Sequence, residues 1–143
     1  MLLLEGGDVR PALIDTDILS MFLRGHRNVS DRFEAYLREY GTINLSIITY
    51  YEIVSGLKHR DAQRYLDTFL DFADSCIVLP LTERAATISA DIYADLRKKG
   101  RPIDDIDILI AGIAIANDLI VITHNLGHFG RIEELRVEDW SLD

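Results

Sequence analysis

Cysteine is almost absent: the chain of 143 residues has one, Cys76. A single thiol excludes an internal disulfide framework. Within "CIVLP" it is expected to serve as a small apolar residue of a buried strand, as suits a reducing compartment. Long apolar runs are missing too. Residues 108–116 are apolar but too few to span a bilayer, and Asn117-Asp118 separates them from "LIVIT". The opening "MLLLEGGDVR" has too short an apolar stretch, and no basic flank, for a secretory signal. A cytoplasmic chain without membrane contact is the expectation. Positive charge is scarce: 15 Lys and Arg against 24 Asp and Glu leave a net −9, which argues against a non-specific nucleic-acid binder. No repeat or low-complexity tract occurs, and His26, His59, His124 and His128 show no zinc-ligand spacing.

What is present is an ordinary globular composition, 48% hydrophobic and 27% charged, in a length that suits one domain with a real core. Residues 1–11, with Gly6-Gly7 and Pro11, read as a loose leader. Strands are expected at "ALI" (12–14), "TINLS" (42–46), "CIVLP" (76–80) and "LIVIT" (119–123), with "LRVEDW" (135–140) as an edge strand. Between them fall helical stretches at 16–25, with Thr16 near its cap, at 28–41, ended by Gly41, at 47–58, at 61–74 and at 82–99, closed by Gly100. An apolar helix follows Pro102, and a loop rich in His, Asn and Gly follows "LIVIT". Strands alternating with helices imply the α/β class, a mostly parallel central sheet flanked by helices.

Ligands of such sheets bind beyond the carboxyl ends of the strands. Asp15 follows "ALI" directly; Thr123 and Asn125 follow "LIVI"; Glu52 lies in the first turns of the helix after "TINLS". Within "RPIDDIDILIAGIAIA" (101–116) three aspartates stand at the mouth of an apolar helix. Asp104 or Asp105 has a local use as its cap. Glu52 has one in a Thr-x-x-Glu capping box, "TYYE", and Asp15 with Asp17 has one as turn and cap. Asp107 is harder to explain locally, because its neighbours at +3, +4 and +7 are Ile110, Ala111 and Ala114, which places it on the buried face. Two carboxylates about 5 Å apart repel by roughly 3 kcal/mol at an effective dielectric of 20, so several of them together call for a cation. Hard oxygen donors suit Mg²⁺ or Mn²⁺.

Five blocks in order, "LIDTDIL", "SIITYYEIVSGL", "GRPIDDIDILIAGIA", "LIVITHNLGHF" and "LRVEDW", closely resemble the PIN-domain ribonucleases, specifically the VapC toxins of toxin–antitoxin pairs. The resemblance runs from about Ala12 to Trp140. It implies Mg²⁺- or Mn²⁺-dependent hydrolysis of RNA phosphodiesters, with tRNA or another structured RNA as substrate, and inhibition by a cognate antitoxin. Residue by residue it places the family's acids on Asp15, Glu52 and Asp107 as metal ligands. Asn125 would position the attacking water or a second ion, with Thr123 before it and Asp17 and Asp104 in support. Asp17 stands where the family commonly has Asn, and Asn125 where many members have a fourth aspartate. Basic residues in "RGHR" (Arg24, Arg27) and "RKKGR" (Arg97, Lys98, Lys99, Arg101) could hold RNA backbone or form solvated faces. A homodimer is expected. The antitoxin's apolar contacts are expected along "LSMFLRG" and "YYEIVSGL", where Phe22, Tyr50 and Tyr51 offer aromatic surface, with an arginine among the acids. Two alternatives remain open: a phosphoaspartyl phosphohydrolase using Asp15 as nucleophile, since "DTD" follows a strand, and a non-catalytic protein-binding member.

Overall fold

Alternation within three-residue strands builds the two faces of the molecule. In the computed structural model, which describes residues 9–142, β1 (Ala12–Ile14) sends Ala12 and Ile14 into one hydrophobic cluster and Leu13 into another. Strand β4 (Ile120–Ile122) does the same with Ile120 and Ile122 against Val121. Both strands are wholly buried, as parallel strands covered on both faces must be. The five-stranded sheet has the order β3-β2-β1-β4-β5 and every pairing is parallel, with β2 at Asn44–Ser46, β3 at Ile77–Leu79 and β5 at Val137–Glu138.

Helices α1 (Thr16–Leu23), α2 (Arg27–Tyr40), α3 (Ile47–His59) and α4 (Gln63–Asp74) supply the first cluster, in which Phe33, Tyr36 and Phe69 are fully buried beside Trp140. The second cluster is supplied mainly by α5 (Glu83–Lys98) and α6 (Asp105–Ala116), with the one-turn α7 (Leu126–Phe129) contributing Phe129. Helices α5 and α6 pack closely enough to require a glycine. A Cβ on Gly112 would stand 2.6 Å from the Ala85 carbonyl oxygen and 2.0 Å from Ser89 Oγ. Gly41 ends α2 in the left-handed conformation, φ 80°, that favours glycine.

The expected α/β class and strand order along the chain match this architecture, and several local expectations change. Two others hold: Thr16 lies next to the cap of α1, and Asp15 is that N-cap, its carboxylate accepting from the Thr16 backbone N–H. Ser46 caps α3 by accepting from Thr49 N, so Thr49 is already helical and the capping box assigned to Glu52 does not form. Asp104 does hold the N-cap position of α6, but its side chain makes no capping bond. Cys76 is half-buried and precedes β3, whose Ile77 is exposed at the sheet edge. The His-, Asn- and Gly-rich loop contains α7. Residues 1–8 of the expected leader lie outside the described residues. Among the described residues, no helix is long and apolar enough to cross a membrane.

Candidate active site

Parallel pairing puts the carboxyl ends of β1 and β4 side by side, and the chain leaves both at one edge. Asp15 N donates to the Ile122 carbonyl (2.8 Å), which extends the pairing one residue past β1 and fixes the Asp15 backbone. Its side chain is buried, with Oδ1 accepting from Thr16 N (2.8 Å) and Oδ2 from Thr123 Oγ1 (2.7 Å). Burial and the negative charge of Asp17 push the Asp15 carboxyl up to about 7; Thr123 and Thr16 work against the shift, and Asp107 adds to it.

Residues 123–125 then fasten, one after another, to three separate acids. Thr123 Oγ1 holds Asp15. The His124 backbone N–H donates to Asp17 Oδ2 (3.1 Å). Asn125 Nδ2 donates to Asp107 Oδ2 (3.4 Å). Asp17 Oδ1 also takes the Ile18 N–H (2.7 Å). Burial raises the Asp17 carboxyl, opposed by these two backbone donors and by the nearby His124. The third acid lies in the first turn of α6, above the buried Ile110, Ala111 and Ala114, and its side chain is largely covered, as the helical spacing predicts.

Glu52 reaches this edge by a different route. It projects from α3, and its Oε1 accepts from the Thr16 hydroxyl (2.6 Å), which itself lies 3.0 Å from Thr49 Oγ1. Thr16 therefore joins Glu52 to Asp15, donating its hydroxyl to one and its backbone N–H to the other. The sequence placed that threonine only near a helix cap, and the block "DTD" is the signal that could have shown more. His128 is a second addition: its Nδ1 lies 2.8 Å from Asp107 Oδ2 and 3.0 Å from Asn125 Nδ2. Asp104, at the mouth of α6, makes no side-chain capping bond, while Asp107 is the aspartate of "DDID" bonded to Asn125.

The donors present fit a hard divalent cation. They are carboxylates with a carboxamide beside them, and among the described residues no Lys or Arg forms an ion pair with Asp15, Asp17, Glu52 or Asp107. Among the described residues no three His, Cys, Asp or Glu side chains already form a metal-binding group. Glu52 Oε1 is bonded to Thr16 and Asp107 Oδ2 to Asn125 and His128, while among the described residues Glu52 Oε2 and Asp107 Oδ1 make no hydrogen bond and could face a cation.

Beside the acids runs a groove of about 650 Å³ between α1, α3 and α4. It opens at Thr16 and Glu52 and is walled by Leu23, Ile53, Leu57 and Phe69, with Arg24 and Arg60 along it. The aromatic surface expected here is differently made. Phe22 stacks on Phe33 at 4.0 Å and Tyr50 packs on Phe69, so both support the core, while Tyr51 and Tyr65 are exposed.

The chain matches the PIN domain family over residues 12–135. It is 33% identical over 131 residues to the tRNA(fMet)-specific endonuclease VapC of Shigella flexneri, covering 90% of this chain and 97% of that protein. It is 30% identical over 127 residues to ribonuclease VapC1 of Methanocaldococcus jannaschii, covering 85% and 81%. Among solved structures, DNA-bound VapBC from Salmonella typhimurium superposes with a TM-score of 0.82 at 30% identity, covering 92% of this chain and 98% of that one. VapBC2 from Rickettsia felis, bound to a promoter DNA fragment, gives 0.81 at 25% identity, covering 90% and 98%.

Proposed function

The chain belongs to the PIN-domain family, in its VapC branch, and from that premise we propose that the acid cluster at the sheet edge is a metal-dependent ribonuclease site. The protein is an endoribonuclease toxin held in check by an antitoxin. The observation that carries the reading is the Asp15 carboxyl, buried and raised to about 7 among other acids with no lysine or arginine paired to them among the described residues. Asp15, Glu52 and Asp107 would hold Mg²⁺ or Mn²⁺, which when bound acidifies a water and neutralises charge on the scissile phosphate. Thr123 keeps Asp15 in place, Thr16 does the same for Glu52, and Asn125 and His128 orient Asp107. Asn125 would also hold the attacking water.

The substrate is tRNA or another structured RNA. Its backbone runs past Arg24 and Arg27 at one side and the "RKKGR" turn at the other. That turn leads directly into α6 and Asp107, and Lys98 and Arg101 are exposed on it. Arg97 and Lys99 are less free, the first lying over the Tyr93 ring and the second pairing with Asp95 and Glu133. The groove between α1, α3 and α4 receives an apolar segment of the antitoxin. An arginine of that segment competes with the divalent ion for the acids, so inhibition weakens as Mg²⁺ rises. The chain acts as a single cytoplasmic domain and pairs with a second copy, to which Ile47 and Tyr51, one turn apart on α3, offer exposed apolar surface.

Cleavage of tRNA by the purified protein, with Mg²⁺ and with chelator, comparing wild type and Asp107→Asn, tests the reading. Cleavage only by the wild type and only with Mg²⁺ supports it. Equal cleavage by both proteins, or cleavage unaffected by chelator, contradicts it. A covalent phosphate trapped on Asp15 would favour the phosphohydrolase instead.

A further inference from the structure

His124 is the residue between the two that touch Asp15 and Asp107, yet its ring bonds to neither acid. Its Nδ1 lies 2.8 Å from Asp139 Oδ2 and 3.1 Å from Ser141 Oγ. The Asp139 side chain is 3% exposed and the His124 side chain 55% exposed, so a buried carboxylate steers an open ring. The mount is fixed at every joint. Asp139 Oδ1 accepts from both Ser141 N (2.8 Å) and Ser141 Oγ (2.6 Å). Trp140 is sunk in the core against Phe33 and Tyr36, and Asn28 Nδ2 donates to the Ser141 carbonyl (3.1 Å). On the other side, Thr123 N donates to the Glu138 carbonyl (2.9 Å) and His124 N to Asp17. The segment "EDWS" thus orients a histidine at the rim of the acids.

With Nδ1 committed to Asp139, the ring has one polar atom left, and among the described residues Nε2 makes no hydrogen bond. Packing alone would not need it there, because the ring is more than half exposed and Asp139 already has two donors from Ser141. Resting on the ribonuclease reading above, we propose that His124 is a substrate-positioning residue whose Nε2 accepts a hydrogen bond from a ribose 2′-hydroxyl of the RNA beside the scissile phosphate, and that Asp139, by holding the proton of the ring on Nδ1, acts through it as a positioning residue. The bond supplies a polar contact of the protein's own at a rim otherwise made of acids, where the substrate's charge is opposed.

The test uses the full chain carrying Asp107→Asn, so that RNA stays intact, and fluorescence anisotropy with labelled unfractionated tRNA in Mg²⁺. Adding His124→Ala weakens binding about fivefold, the scale of one neutral hydrogen bond. His124→Gln, whose carboxamide oxygen reaches the Nε2 position as an acceptor, restores binding, whereas His124→Asn reaches only the Nδ1 position and behaves like alanine. In the cleaving protein the same substitution raises KM for tRNA and leaves kcat near wild type. Asp139→Asn follows His124→Ala; if that variant does not fold, the His124 series decides alone. Unchanged tRNA binding in His124→Ala, rescue by Asn rather than Gln, or no tRNA binding by the Asp107→Asn chain at all overturns the assignment. Failure of the ribonuclease reading is seen separately, as a wild-type chain that binds tRNA but leaves it uncut with Mg²⁺.

Discussion

Two covered carboxyl groups stand near the same sheet edge and behave in opposite ways. Asp15 is raised to about 7, chiefly by burial, with Asp17 and Asp107 adding to the shift. Burial pushes Asp139 up as well, but the Ser141 hydroxyl and backbone N–H and the His124 ring outweigh it, and its carboxyl falls below the ordinary range. Asp139 has donors from Ser141 and a histidine beside it, whereas the two donors of Asp15, Thr16 N and Thr123 Oγ1, are outweighed by burial and by its neighbours Asp17 and Asp107. An acid given enough donors is part of the scaffold, whereas an acid buried among acids is unfavourable until a cation arrives. The difference separates the part of this edge that holds shape from the part proposed to hold an ion.

The largest effects are expected from removing the proposed ion ligands. Asp15→Asn, Glu52→Gln and Asp107→Asn each lower kcat for RNA cleavage by on the order of 10²–10³-fold or more, as losing one preorganised electrostatic group does. Circular dichroism and melting curves are expected to show all three folded. A single-turnover assay in which any one of them cuts at the wild-type rate removes that residue from the site and breaks the contrast drawn with Asp139.

The two regions should also impose opposite pH slopes on the metal-free protein. Because the folded pKa of Asp15 exceeds its unfolded value, the native state binds more protons between about 4 and about 7. Stability therefore falls as pH rises through that window, by a few kcal/mol at most on the order-of-magnitude scale of ~1.4 kcal/mol per unit. Asp15→Asn flattens this limb, and saturating Mg²⁺ reverses it by mass action. Asp139, with its lowered pKa, contributes stability that is present above its unfolded value near 4 and lost as pH falls through its folded value. Asp139→Asn flattens only that acid limb. Urea melts across pH for the two variants measure both, and equal slopes in the two variants would erase the distinction.

Smaller still is the effect expected at Asp104. It holds the N-cap position of α6 without a side-chain bond, so Asp104→Ala costs less than the ~1 kcal/mol of a working cap and leaves cleavage within about twofold. A loss matching that of Asp107→Asn in steady-state kinetics would move the third ligand to Asp104.

Much of this edge was legible in the sequence because it rests on local rules. "ALI" followed by Asp15, and "LIVI" followed by Thr123 and Asn125, put those residues past strand ends. The +3, +4 and +7 neighbours of Asp107 placed it on the buried face of its helix. What escaped was non-local. Thr16 meets Glu52 across 36 residues, His128 meets Asp107 across 21 and His124 meets Asp139 across 15, and no helical or strand period joins such pairs. The Thr-x-x-Glu box failed for a local reason: Ser46, three residues before Thr49, was the better placed cap. Cys76 was read as buried in a strand because "CIVLP" is apolar throughout, but β3 is an edge strand with only one neighbour to cover it.

The most direct measurement is the titration of the Asp15 carboxyl itself, followed by carbon-detected NMR of ¹³C-labelled aspartate with and without saturating Mg²⁺, using Asp15→Asn to identify the signal. The expected result is a midpoint near 7 in the metal-free protein, falling well below that value with Mg²⁺. A midpoint in the ordinary carboxylate range without metal, or one that Mg²⁺ does not move, would contradict the claim that Asp15 is buried there to hold a cation.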